Sequence, residues 1–133
     1  MNRIIRLPIL LILLQLLSCR NSTISTNAIL QFNNTEHNFR DLELNESANC
    51  AFKFSNPGTT PLVVYYVKTS CGCTVPEWTK EPVKPGKSGE IQIIYDTSQS
   101  GFFNKTITVF YNGKDSPQNL TIKGRVGFSV DGD

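Results

Sequence analysis

From Ala28 onward the apolar residues recur at every second position in short runs, the period of strands that bury one face and wet the other. Ile91, Ile93 and Tyr95 share one side of such a run, with Gln92 and Ile94 opposite. Ile107, Val109 and Tyr111 repeat the pattern against Thr106, Thr108 and Phe110. Leu120, Ile122, Val126 and Phe128 do so around Gly124, with Thr121, Lys123 and Arg125 outward, and Cys50, Phe52 and Phe54 form a further stripe. Turn sequences punctuate the runs: Asn56-Pro57-Gly58 before Pro61 to Lys68, Lys84 to Gly89 before Glu90 to Asp96, and Asn112-Gly113 before the last strand. The i, i+3, i+4 spacing of a helix is missing throughout. With Ala28 to Phe32 and Glu36 to Leu42 added, the pattern predicts about seven strands in about a hundred residues, an all-β, Ig-like antiparallel β-sandwich. Phe52, Phe54, Ile93, Val109 and Ile122 are its expected core.

The first eighteen residues follow another rule. Arg3 and Arg6 precede an apolar stretch from Leu7 to Leu17, and Ser18 then stands before Cys19, the layout of a cleaved secretory signal. The stretch is interrupted by Pro8 and Gln15 and falls well short of the roughly twenty apolar residues that span a bilayer as a helix. Leu16-Leu17-Ser18-Cys19 resembles the lipobox of bacterial lipoproteins, which implies an acylated Cys19 as the new N-terminus. Such a lipid anchors by burying acyl chain, each CH₂ contributing about 0.8 kcal/mol. The expected organisation is therefore a lipoprotein signal peptide over 1–18, a polar stalk over 19–27 and a sandwich over 28–133. Arg20, rather than an aspartate, follows the cysteine, which favours the outer membrane of a Gram-negative bacterium.

Charge looks different once that segment is removed. The chain has thirteen Lys and Arg against eleven Asp and Glu; without Arg3 and Arg6 the count is eleven against eleven. A neutral domain with charges of alternating sign lacks the basic surplus that phosphate neutralisation needs, so no nucleic-acid partner is expected. The single His37 has no acid and nucleophile patterned around it, and no hydrolytic constellation is visible elsewhere; the chain is not expected to be an enzyme.

Unusual chemistry is confined to Val67 to Pro85, where a strand is expected to run into a Pro-rich loop holding Cys71, Gly72, Cys73, Trp78, Lys80 and Glu81. The two thiols admit several fates. They can bind Cu(I), which two thiolates satisfy. They can close a small exchangeable disulfide, or remain as small buried side chains. Tetrahedral zinc usually takes four Cys or His ligands from a pair of clusters, and beside Cys71 and Cys73 the domain offers only Cys50 and His37, so zinc is not expected unless two chains share the metal. A thioredoxin-type enzyme wants a helix start that the sequence lacks. Cys50 is expected on a strand that forms a hairpin with Pro61 to Lys68, opposite about Tyr66. A bridge from Cys50 to Cys71 or Cys73 would need the chain to fold back at Ser70.

Several segments carry a family resemblance: Phe52 to Asn56 with Pro61-Leu62-Val63, Ser70-Cys71-Gly72-Cys73-Thr74-Val75-Pro76, Pro85-Gly86, Gly89-Glu90-Ile91 and Gly101 to Val109. Together they resemble the bacterial domain-of-unknown-function family 1573, common in Bacteroidetes lipoproteins, from about Ile29 to Val126. The family is similar in turn to Ig-like modules of the major-sperm-protein and hydin type. The resemblance implies fold and compartment and no activity. Arg40 departs from it, standing where such sequences often have Gly after His37-Asn38-Phe39, which suggests a changed turn; Cys50 has no place in the family pattern.

The expected function is a lipid-anchored, non-catalytic interaction or scaffold module of the cell envelope. It would be held to the membrane by Cys19 and would meet a protein or glycan through the Cys71 to Glu81 loop without a cofactor. Trp78, of a type enriched at binding hot spots, fits a contact role or the capping of one end of the sandwich. The rival expectation is a Cu(I)-binding or thiol-redox protein using Cys71 and Cys73.

Overall fold

The computed structural model describes residues 27–127. The expected signal peptide, the acylated Cys19, almost all of the stalk, and Phe128 lie outside them. Eight strands form within this range: β1 (Gln31–Phe32), β2 (Glu36–Leu42), β3 (Ala48–Ser55), β4 (Val64–Thr69), β5 (Thr74–Trp78), β6 (Ser88–Tyr95), β7 (Gly101–Tyr111) and β8 (Gln118–Val126). No helix occurs among the described residues. One sheet has the order β1-β3-β6-β5 and the other β2-β8-β7-β4.

The alternating stripes build the core as expected. Phe52, Phe54, Ile91 and Ile93 from one sheet meet Ile107, Val109, Leu120 and Ile122 from the other, none more than 3% exposed. Across one end, the Tyr95 and Phe103 rings stack at 3.9 Å. Gly124 takes an inward position because the Phe103 ring lies within 2.8 Å of where a Cβ would stand.

Three expectations change. The expected first strand shrinks to two paired residues, although Ala28 and Leu30 are buried. The sandwich is not wholly antiparallel: β2 runs parallel to β8, with a bulge between Asn38 and Asp41. In that bulge Arg40 adopts φ 61°, a left-handed conformation that glycine takes without strain, and its N–H donates to Asn38 Oδ1 at 2.9 Å. The third change concerns pairing. β3 and β4 form no hairpin; β3 pairs with β1 and β6, and β4 pairs with β7 in the opposite sheet.

The cause is Asn56. Its side chain is fully buried, donating from Nδ2 to Thr60 O and Val83 O and accepting on Oδ1 from the N–H groups of Gly58 and Ile29. The chain after Ser55 is thereby turned inward and across to the other sheet. Cys50 consequently faces Ile93, not Tyr66, and cannot bridge to the later cysteines.

Candidate functional site

The segment singled out by its chemistry is where the chain changes sheets. β4 ends at Thr69 on the edge of one sheet, and β5 begins at Thr74 on the edge of the other. Cys71 and Cys73 are joined by a disulfide with Cα atoms 5.3 Å apart, inside the usual range. Hydrogen bonds fasten the turn on both sides. Thr69 Oγ1 donates to Cys71 O at 3.0 Å, Thr74 N–H donates to the same oxygen at 3.4 Å, and Asp96 N–H donates to Cys73 O at 2.8 Å. Both sulfurs lie near Thr74 Oγ1, at 3.7 and 4.0 Å. Gly72 is exposed, with no atom within 4 Å of a built Cβ, so its position is sterically open.

Only part of the expected Pro-rich loop is a loop, because Thr74 to Trp78 pairs with β6 from Tyr95 to Ile91. Pro76 sits in this edge strand, where a missing N–H breaks no ladder bond when it points outward. The pairing also separates the candidate residues. Cys71, Gly72 and Cys73 precede β5, whereas Trp78, Lys80 and Glu81 lie at its far end, roughly 17 Å along an extended chain from Cys73.

Trp78 is half-buried against the core, and its Nε1–H donates to Val64 O at 3.2 Å. Since Val64 belongs to β4, this bond ties the edges of the two sheets together. The Lys80 ammonium lies 2.9 Å from the ring centroid, a cation–π contact that covers the indole. The ring therefore caps the flank of the sandwich, with Lys80 and Glu81 exposed beside it.

A second feature next to the disulfide had no place in the sequence expectations. Val75 and Ile94 pair across β5 and β6 with side chains on the outer face, 53% and 50% exposed. The signal was the break in alternation in Ile91-Gln92-Ile93-Ile94, where an apolar residue takes a wet position. Phe102, 87% exposed, and the exposed Tyr65 and Tyr66 likewise escaped the pattern.

In this structure neither Cys71 nor Cys73 is a thiolate, so the Cu(I) arrangement would first require reduction of their bond. Among the described residues no group of three or more His, Cys, Asp and Glu converges. His37 lies on edge strand β2 with its ring edge-on to Phe39 at 4.5 Å. Cys50 is a free thiol, half-buried, and burial pushes it up to about 11.

The family model for proteins of unknown function DUF1573 matches residues 30–126. The chain belongs to that family. No curated protein matches it in sequence. Among solved structures, a protein of unknown function from Porphyromonas gingivalis, a member of the Bacteroidetes, superposes with a TM-score of 0.68 at 17% identity over 81% of this chain. The chain spans about half, 51%, of that protein. The ASH/PapD-like domain 7 of human CEP192 gives 0.65 at 10% identity, covering 77% of this chain and 88% of that domain. A family 123 glycoside hydrolase from Clostridium perfringens gives 0.58 at 11% identity, covering 80% of this chain and 28% of the enzyme. These likenesses establish a PapD-like, Ig-like sandwich and nothing about activity.

Proposed function

We propose that this DUF1573 member is a non-catalytic binding or scaffold module of the cell envelope, anchored in the outer membrane by a lipid on Cys19. Its proposed contact surface is the disulfide-closed crossover at Cys71 to Cys73 with the neighbouring Val75 and Ile94. The observation that carries this reading is the exposed apolar pair held beside a covalently closed turn. A rigid turn costs little entropy to dock, and solvent-facing aliphatic side chains gain from being covered.

Placement in the fold supports the same reading. Gln31 pairs with Ser55 at one end of β3, whereas Ala48 pairs at the other end with Tyr95, which also pairs with Thr74. The described chain, which begins at Asn27 beside Thr59, therefore starts near one end of the sandwich and the crossover lies near the other, roughly 24 Å along β3. A domain tethered by its N-terminus would present the turn away from the membrane.

A photo-cross-linking residue placed at Gly72, where space is open, is expected to give a discrete adduct on intact cells. The same residue at Lys84, near Asn56 at the stalk end, is expected to give none. No adduct at Gly72, or identical adducts at both positions, overturns the assignment of the surface. Labelled fatty acid should enter the wild-type chain and not Cys19→Ala; equal labelling overturns the anchor.

A further inference from the structure

The outer faces of the two sheets differ in chemistry. On the β1-β3-β6-β5 sheet the outward charges are Lys53 against Glu77 and Glu90, around the Val75 and Ile94 pair. On the β2-β8-β7-β4 sheet and its bulge the cations are Arg40, Lys68, Lys123 and Arg125, against Glu36 and Asp41. Glu36 pairs with Lys123 at 2.6 Å and Asp41 with Arg125 at 3.8 Å, which leaves Arg40 and Lys68 without an ion pair among the described residues. This face therefore carries four cations against two acids, whereas the opposite outer face carries one cation against two.

Aromatic rings stand at both ends of the same face. Phe102 projects at the start of β7 with the Arg125 guanidinium 5.7 Å from its ring centroid. At the other end of β7, Phe110 lies beside Tyr66 with centroids 6.2 Å apart. Eight residues of extended strand separate the two phenylalanines, roughly 27 Å. Between them the outward positions of β7 are Asn104, Thr106 and Thr108, with Asn119 and Thr121 opposite on β8. One hollow of about 430 Å³ opens beside Phe102, Asn104, Lys123 and Arg125, and another of about 330 Å³ beside Lys68, Thr106 and Thr108.

A protein-docking patch has an apolar centre and a polar rim. Here the order is reversed: the rings stand at the ends and the middle is hydroxyl and amide. That arrangement suits a linear polymer that offers ring faces to the aromatics, hydroxyls to Thr and Asn, and negative charge to the cations. We propose that the outer face of the β2-β8-β7-β4 sheet is a docking surface for an acidic polysaccharide chain. The proposal rests on the reading of the chain as a non-catalytic binding module, and it uses a face other than the crossover.

The test measures binding of the full chain, purified in detergent, to polygalacturonate, with dextran, poly-glutamate and single-stranded DNA as comparison polymers. Polygalacturonate is expected to bind most tightly, and more weakly as salt rises. Phe102→Ala and Lys68→Glu are each expected to weaken it about tenfold or more, whereas Lys53→Glu on the other face leaves it unchanged. The Phe102 ring is 87% exposed, so its removal does not threaten folding. Failure of polygalacturonate to bind overturns the proposal, as does equal or tighter binding of dextran, poly-glutamate or DNA. So does insensitivity to Phe102→Ala or an equal loss on Lys53→Glu. None of these outcomes changes the cross-linking result at Gly72, which tests the broader reading separately.

Discussion

The two ends of the sandwich are ordered by different means. At the stalk end Asn56 is 0% exposed and its amide is used to capacity, two donated and two accepted hydrogen bonds between 2.8 and 3.3 Å. Its backbone adds two more, N–H to Lys87 O and O from Gly86 N–H. At the crossover end a covalent bond between Cys71 and Cys73 fixes the turn, and Gly72, Val75 and Ile94 stay exposed. The Asn56 amide spends every donor and acceptor it has on the fold, so none of its own groups is left for a partner. A disulfide fixes the backbone without using surface. The end proposed for binding is therefore the one whose turn is closed covalently.

Substitution at Asn56 is the strongest way to break this contrast. Asn56→Ala leaves buried partners at Gly58, Thr60 and Val83 unmatched and is expected to cost more than about 3 kcal/mol in chemical denaturation. Removing the disulfide should do much less, because it closes a very short loop. Cys71→Ser with Cys73→Ser is expected to cost about 1.5 kcal/mol and leave the fold intact, read by the same denaturation curves and by circular dichroism. Trp78→Phe, which keeps the packing and loses the bond to Val64 O, is expected to cost about 1 kcal/mol. A smaller change with the opposite sign is expected at the β2 bulge. Arg40→Gly relieves a left-handed backbone at some cost in chain entropy, for a net gain of a few tenths to about 1 kcal/mol.

Cys50 adds a pH dependence that belongs to neither end. Its pKa rises from 9.0 to about 11 on folding because burial disfavours the thiolate. In that window the folded chain keeps a proton that the unfolded chain has lost, so the contribution is intact below pH 9.0 and is lost as pH rises through about 11. Denaturation midpoints of wild type and Cys50→Ala should therefore converge on this alkaline side. A constant difference across the window contradicts the burial argument.

The strands were legible because alternation is local, and Phe52, Ile93, Val109 and Ile122 are buried where the pattern puts them. Strand partners were not, since a period of two states which face is wet and not which strand lies alongside. The hairpin expected of β3 and β4 failed on Asn56, whose residue type signals a turn but whose burial follows from tertiary contacts. Parallel pairing of β2 with β8 is similarly non-local. At the candidate site the Cys-Gly-Cys spacing marked the place, and register excluded Cys50 from it. Trp78 drew attention as a contact residue, yet its N–H and ring face are already engaged by Val64 and Lys80.

The central claim is that the four cysteines divide among three roles: the proposed anchor at Cys19, covalent closure at Cys71 and Cys73, and a half-buried free thiol at Cys50. Intact mass of the chain from native membranes, alkylated after unfolding with and without reduction, tests it directly. The account predicts one adduct without reduction, on Cys50, and three with it, on a chain that begins at an acylated Cys19. Three adducts before reduction, or an alkylated Cys19, would contradict it.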